Sequence, residues 1–214
     1  MNRAAKTSLA GALVADVDAI PLLRALLPGR AMTWSEAHSV AERQAALLLD
    51  LLHISEPPVP QFVISSLPGI VVDWREDWPT SGMAVQAGSH WRIVLKKSEP
   101  RQRQRFSLAH EFKHVLDDPV IDSTHAHLKP HRQKERAERL CNYFAGCLLM
   151  PRPWLKHDWY GGEQRAYRLA RRYYVSTAAM KTRLSELGLT PMTLARIVQQ
   201  GERPDQGRGA GTSG

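Results

Sequence analysis

One short stretch of this 214-residue chain restricts its fold and chemistry more than any other. His110, Glu111 and His114 form the pattern His-Glu-x-x-His inside an otherwise apolar run. Residues four apart lie on the same face of a helix, so both imidazoles can reach one ion. Glu111 lies slightly off that face, where its carboxylate can take a proton from water at the ion. The pattern predicts a zinc site with His110 and His114 as ligands and Glu111 as catalytic base.

The residues around the motif predict a helix that is packed against a core. Apolar side chains recur there at helical spacing: Phe106, Ala109, Phe112, Val115 and Leu116. Two histidines in a helix are also compatible with plain packing or surface positions, because so short a motif recurs by chance. A third ligand elsewhere in the chain is therefore needed to favour a metal site.

A second predicted helix, from about Gln133 to Met150, offers that ligand. Its inward stripe contains small, apolar and polar residues: Glu138, Cys141, Asn142, Ala145, Leu148 and Leu149. Burying an unpaired carboxylate costs on the order of several kcal/mol, which a bound cation would compensate. We therefore predict Glu138 as the third ligand, with the fourth zinc position open as in catalytic sites. Asn142, one turn later, is a candidate to orient a ligand.

Other side chains compete with Glu138 for this role: His125, His127, His131, Asp117 and Asp118. Histidines in a polar loop are more often solvated, so Glu138 remains the preferred ligand. The longer motif with a third histidine is excluded, since Asp117 and Val120 occupy its glycine and final histidine positions.

Composition and charge indicate a cytoplasmic globular protein without a membrane partner. The chain is 43% hydrophobic and carries a formal charge of +8, with the basic residues spread along it. Cys141 and Cys147 are six apart on different faces of one predicted helix, which disfavours a disulfide and fits a reducing compartment. Asp16 and Asp18 interrupt the N-terminal apolar run, which disfavours a signal peptide or a membrane span.

Breaks in the pattern divide the chain into four predicted parts. Residues 1–31 are expected to be loosely attached or disordered, and Met32 is a candidate initiator. Residues 32–160 form the predicted metallopeptidase core, and residues 161–200 a C-terminal helical segment. Residues 201–214 are rich in Gly, Arg and Ser and predict a disordered tail.

The predicted fold class is α+β. Three short apolar runs, at residues 69–73, 82–87 and 91–95, predict a small antiparallel sheet with a hairpin at Gly88-Ser89-His90. The C-terminal segment predicts two short helices with a tight link, as in a helix-turn-helix. Arginines and a lysine on these helices make contact with DNA a second possibility for that segment.

Two segments resemble one known family. The stretch from Arg105 to His114 and the stretch from Glu138 to Pro151 are similar to the ImmA/IrrE metallopeptidases. The likeness extends to Ser81-Gly82-Met83-Ala84 and to residues 170–176, so it covers roughly residues 35–190. One departure is Lys113, where a small residue, often Gly, is common; a long cation there is expected to alter access to the site without removing a ligand.

The resemblance implies a gluzincin-like zinc peptidase fold with His110, His114 and Glu138 as ligands and Glu111 as base. It further implies regulatory proteolysis of a DNA-binding repressor, often encoded nearby. The main alternative is a transcription regulator or an antitoxin-like interaction protein, with a structural or vestigial zinc site and DNA contact through the basic C-terminal helices.

Overall fold

The computed structural model describes residues 18–118 and 129–190, which form eight helices and one three-stranded sheet. The α+β class predicted from the sequence is confirmed. The helices are α1 Ala19–Arg24, α2 Trp34–Leu51, α3 Phe62–Ser65, α4 Arg101–Asp117, α5 Pro130–Leu149, α6 Arg152–Tyr160, α7 Ala166–Tyr173 and α8 Thr177–Glu186. The strands are β1 Ile70–Arg75, β2 Gly82–Ala87 and β3 His90–Lys96.

Helix α4, which carries the motif, is the centre of the packing. It contacts β2 and β3 on one side and α5 on the other, and α5 also packs against α2. Ala109, Phe112, Val115 and Leu116 of α4 are fully buried, as their helical spacing predicts. Helix α5 has Pro130 in its first turn, where the missing N–H costs little, and ends just before Pro151. The two helices that carry the candidate ligands are thus fixed against each other by the core.

The sheet is mixed, and the prediction of an antiparallel sheet is wrong in this respect. The strand order is β1–β3–β2: β3 pairs antiparallel with β2 but parallel with β1. The predicted hairpin of β2 and β3 is present, and β3 lies between β2 and β1. Residues 76–81 can span the roughly 9–10 Å of two strand spacings, so β1 can lie at either edge. Local sequence pattern does not distinguish these two arrangements.

Helix α1 differs from the loosely attached segment expected for residues 1–31. Leu23 is fully buried, and its carbonyl accepts a hydrogen bond from Gln44 Nε2 at 3.0 Å. Arg24 Nη2 donates to the carbonyl of Val115 on α4 at 2.7 Å. Residues 18–31 are therefore tied to the core. Residues 1–17 and 201–214 lie outside the described residues, and the boundaries at 160/161 and 200/201 stay predictions.

The turn between α7 and α8 is fastened to α4 by a buried arginine. Arg105 is 6% exposed, whereas Arg101 and Arg103 just before it on the same helix are exposed. Its guanidinium donates to the carbonyls of Tyr174 at 2.6 Å and Val59 at 2.5 Å. Tyr174 has a backbone φ of 53°, which residues other than glycine rarely adopt.

None of the helices in residues 18–118 and 129–190 combines the length and the apolar character that a membrane span requires.

Candidate metal centre

The two motif histidines lie one turn apart on α4 and direct their outer ring nitrogens at each other. His110 Nε2 and His114 Nε2 are 3.2 Å apart. The side chain of His110 is 14% exposed and that of His114 25%, so both rings reach solvent while the opposite face of α4 is buried. This arrangement is the one that the spacing of four predicts.

Glu138 of α5 brings a third donor to the same point. Its carboxylate oxygens lie 3.3 Å from His110 Nε2 and 3.4 Å from His114 Nε2. Ligands bound to a tetrahedral ion at 2.0–2.2 Å are separated from each other by roughly 3.3–3.6 Å. The three donors therefore fit a tetrahedral metal ion of zinc size, with nitrogen and oxygen ligands of the types that zinc takes.

Cys141, one turn beyond Glu138, is a second candidate for the third ligand and is the residue that the sequence analysis missed in this role. Its Sγ and the ring nitrogens of His110 and His114 all lie within 4.8 Å of one another. The residue is 1% exposed, and burial raises the pKa of its thiol well above the ordinary value. The Glu138 oxygens lie 3.3 and 3.4 Å from the two ring nitrogens, which matches the separation of ligands on one ion, whereas the Cys141 thiol is held in its protonated form by burial, so Glu138 fits better. The inward stripe of α5 already contained the signal for Cys141.

Asn142 supports His110 from behind. Its Oδ1 lies 3.0 Å from His110 Nδ1, within hydrogen-bonding distance. When Nδ1 carries the ring proton and donates a hydrogen bond to Asn142 Oδ1, the lone pair of Nε2 is free to bind a metal. The structure thus brings Asn142 to the position in which the sequence analysis expects a ligand-orienting residue.

Glu111 lies against strand β2, at a place where only glycine leaves room for it. A Cβ added at Gly82 would lie 2.8 Å from Glu111 Cγ and 2.9 Å from its Oε1. Burial raises the pKa of Glu111 to about 7, helped by the negative charge of Glu138, while a backbone hydrogen bond from Ala84 acts in the opposite direction. A carboxylate with a pKa near neutrality is suited to accept and return a proton.

Lys113 does not stand at the site, and the prediction that it alters access is wrong. Its side chain is fully buried and does not project into the opening at the histidines: Nζ donates to Gln44 Oε1 at 2.8 Å and to Asp117 Oδ1 at 2.6 Å. Asp117 is thereby engaged with a cation, which removes it from the competing ligands.

The remaining competitors are not among the residues gathered at the histidines. Asp118 is exposed at the end of α4, and His131 is exposed in the first turn of α5. His125 and His127 lie outside the described residues. Within the described part of the chain, the donors that meet at His110 and His114 are those of Glu138 and Cys141.

A His-Glu-x-x-His helix in an α+β domain, with an acidic third donor on the next described helix, is typical of the metallopeptidases. The chain belongs to the ImmA/IrrE family: the model of the IrrE N-terminal-like domain matches residues 69–185. This confirms the resemblance read from the sequence. Membership in a metalloprotease family implies a bound metal ion.

Two curated relatives carry the same description. The radiation response metalloprotease IrrE of Deinococcus deserti is 34% identical over 126 residues, covering 56% of this chain and 44% of the relative. The radiation response metalloprotease IrrE of Deinococcus radiodurans is 32% identical over 112 residues, covering 50% and 34%. The chain thus spans less than half the length of these relatives.

A solved structure described as a Mycobacterium tuberculosis transcriptional regulator is similar in fold. The TM-score is 0.53 at 19% sequence identity, over 76% of this chain and 50% of that one. At this identity the likeness concerns the fold alone.

Proposed function

We propose that this chain is a zinc-dependent endopeptidase of the gluzincin type, in which His110, His114 and Glu138 hold the metal and Glu111 is the catalytic base. The proposal rests on the three donors of His110, His114 and Glu138, which lie 3.2–3.4 Å apart. The Glu111 carboxylate is on the helix that carries the two histidines. Three protein ligands leave the fourth position of a tetrahedral zinc open, as catalytic sites require.

The reaction is hydrolysis of a peptide bond. Zinc, when bound, supplies Lewis acidity, which makes water more acidic and a carbonyl carbon more electrophilic. Glu111 takes a proton from the attacking water and later delivers it to the nitrogen of the leaving amine. Gly82 leaves the space in which the Glu111 carboxylate lies, and Asn142 fixes the ring of His110. Overall, hydroxide adds to the carbonyl carbon, the C–N bond breaks, and the amine gains the proton.

The substrate that we propose is a regulatory protein in the cytoplasm, specifically a DNA-binding repressor encoded nearby. The curated relatives are named radiation response metalloproteases, which connects proteolysis in those proteins with a cellular response. Cys141 and Cys147 are both free and buried, as expected of a protein in a reducing compartment.

The C-terminal helices give less support to the alternative, a DNA-binding regulator. Arg165 pairs with Glu163 at 2.9 Å, Arg172 pairs with Asp158 at 2.9 Å, and Arg183 is 1% exposed. DNA backbone binding depends on cations that are free to neutralise phosphates. Helices α7 and α8 follow each other through a tight turn, and we retain their helix-turn-helix-like arrangement as part of the peptidase module.

Metal content tests the site. We expect about one zinc per chain by mass spectrometry in the wild type and in Glu111→Gln, and loss of the metal in His114→Ala and Glu138→Ala. His131→Ala, an exposed histidine of α5, is the matched control and should keep the metal. Cys141→Ser decides the third ligand: if this variant loses the metal and Glu138→Ala keeps it, our ligand assignment is wrong.

Cleavage tests the activity. The repressor gene nearest to this one should be co-expressed with the wild type or with Glu111→Gln, and the products identified by mass spectrometry. We expect the repressor to be cut only with the wild type, because the variant keeps the metal but lacks the base. Equal degradation in both cultures would defeat the peptidase proposal.

A further inference from the structure

Two adjoining cavities lie between the first turns of α4 and the turn that joins α7 to α8. Their volumes are about 370 Å³ and about 560 Å³. They share four lining residues, Gln102, Arg103, Val175 and Ser176, and therefore form one continuous depression. We refer to the two cavities together as the α4–α8 groove.

The inner end of the groove lies beside His110, on the Nδ1 side of its ring. Asn142, whose Oδ1 is 3.0 Å from His110 Nδ1, lines the inner cavity together with Phe106, one helical turn before His110. The groove thus adjoins the candidate metal centre through Asn142, although none of the described residues that line it is a proposed ligand.

The outer wall of the groove is rigid before any ligand binds. Tyr174, one of its lining residues, has the φ of 53° that is unfavourable for a tyrosine. The buried Arg105 holds it there by a hydrogen bond to its carbonyl and by stacking, with the guanidinium carbon 5.1 Å from the ring centre. A preformed wall lowers the entropy cost of binding an extended chain.

The charge of the groove is positive and partly uncompensated. Of the described residues that line the inner cavity, Glu186 is the one acidic residue, and it is paired with Arg183 at 3.1 Å. Among the described residues, the outer cavity is lined by Arg103 and Arg171 and by no acidic side chain. Arg103 is 3.9 Å from Glu99, a long contact. Within residues 18–118 and 129–190, Arg171 has no ion pair.

Aromatic side chains flank these cations at the outer end. Tyr167 is 51% exposed and Tyr174 is 42% exposed. Tyrosine and arginine together are the residue types that most often carry binding energy at protein interfaces. Exposed tyrosines beside the guanidinium groups of Arg171 and Arg103, the latter also bonded to Ser81 Oγ at 3.2 Å, suit a peptide that combines apolar and acidic side chains.

We propose that the α4–α8 groove binds the substrate chain on one side of the scissile bond and selects segments with acidic residues. This inference rests on the proposed peptidase function and adds the substrate class. A peptide is favoured over nucleic acid because a phosphate backbone needs a row of free cations, whereas the described residues of the outer cavity offer only the arginines Arg103 and Arg171. The inner cavity also connects this surface to Asn142 beside His110.

The test measures binding without turnover. Zinc-loaded Glu111→Gln is titrated, by fluorescence anisotropy, into two labelled pools of short peptides that differ only in having Asp and Glu or Asn and Gln at the same positions. We expect the acidic pool to bind about fivefold tighter, the range of one well-placed surface ion pair. Adding Arg171→Glu should remove or invert the preference, and adding Tyr167→Ala should weaken binding of both pools. Adding Arg132→Glu, on an exposed arginine outside the groove, should change neither.

The outcomes separate this inference from the proposed function. If zinc is bound at one per chain and the two pools bind equally, or neither binds, the groove proposal is overturned while the peptidase proposal stands. If a labelled duplex oligonucleotide binds in an Arg171-dependent manner and the peptides do not, the groove is a nucleic-acid surface and the proposal is likewise overturned. Absence of zinc uptake contradicts the proposed function, whatever the peptides do.

Discussion

Gly82 is the position at which a single methyl group tests the placement of Glu111. A Cβ there would lie 2.8 Å from Glu111 Cγ, 2.9 Å from its Oε1 and 3.0 Å from Leu95 Cδ2. Non-bonded carbons prefer about 3.5–4.0 Å, so Gly82→Ala must displace the Glu111 side chain by roughly 0.7–1.2 Å. A misplacement of that size costs about 100-fold in rate. We therefore expect kcat to fall about 100-fold, or about 2.7 kcal/mol in the barrier.

The assay is steady-state hydrolysis of a peptide that the wild type cuts and Glu111→Gln does not. KM should stay close to that of the wild type, because the substitution displaces the base and not a binding surface. Zinc content should also be unchanged, since the atoms that the new Cβ meets belong to Glu111 and Leu95 and to none of the proposed ligands. Gly29→Ala is the matched control, because a Cβ at that position meets nothing within 4 Å.

Two results would refute this reasoning. A Gly82→Ala variant that binds zinc and keeps kcat within a few fold of the wild type would mean that the position of the Glu111 carboxylate does not limit the reaction. A variant that loses zinc or unfolds at a much lower urea concentration would mean that the glycine supports the sheet and not the base.

Two further predictions concern stability. Lys113→Met leaves Asp117 without its buried cation and should lower the free energy of unfolding by about 3 kcal/mol in urea titrations. Lys97→Met, whose pair with Glu76 is 59% exposed on both sides, should lower it by less than about 1 kcal/mol, and equal losses would contradict the burial argument. In metal-free protein the folded pKa of Glu111, about 7, lies above its ordinary value of 4.5, so the folded state binds the proton more readily. Stability from this group is present below about pH 4.5 and is lost as the pH rises through about 7. Glu111→Gln should remove this pH dependence. At pH 8, after chelation of the metal, its free energy of unfolding should exceed that of the wild type by on the order of 3 kcal/mol. Identical pH profiles of stability for the two proteins would contradict this prediction.

The sequence predicted well what depends on helical spacing. The two helices around His110 and Glu138 occur close to where their apolar pattern indicated, and the donors of His110, His114 and Glu138 do converge. Asn142 also lies where its offset of one turn from Glu138 suggested. The relations within one helix follow from its period. The burial expected for Glu138 is wrong, since its side chain is 46% exposed, although its carboxylate does meet the two histidines.

What the sequence did not predict depends on contacts between distant segments. Arg105 bonds to carbonyls 46 and 69 residues away, and no local pattern distinguishes it from its solvated neighbours. From the sequence, Gly82 is only the glycine that begins a predicted strand. Its close approach to Glu111 becomes visible only when the sheet is packed against α4. The parallel pairing of β1 and β3 likewise arises because β1 lies at the β3 edge of the hairpin. The linker between β1 and β2 is long enough to reach either edge, so the local sequence does not decide between them.

The buried group formed by Lys113, Gln44 and Asp117 limits how this protein can diverge. Gln44 accepts from the Lys113 ammonium and donates to the carbonyl of Leu23, so its amide is used at both ends. A smaller residue at position 113 would leave the Gln44 oxygen and the Asp117 carboxylate unsatisfied inside the core. Relatives with glycine at that position should therefore differ at the other two as well, and the three positions are expected to change together.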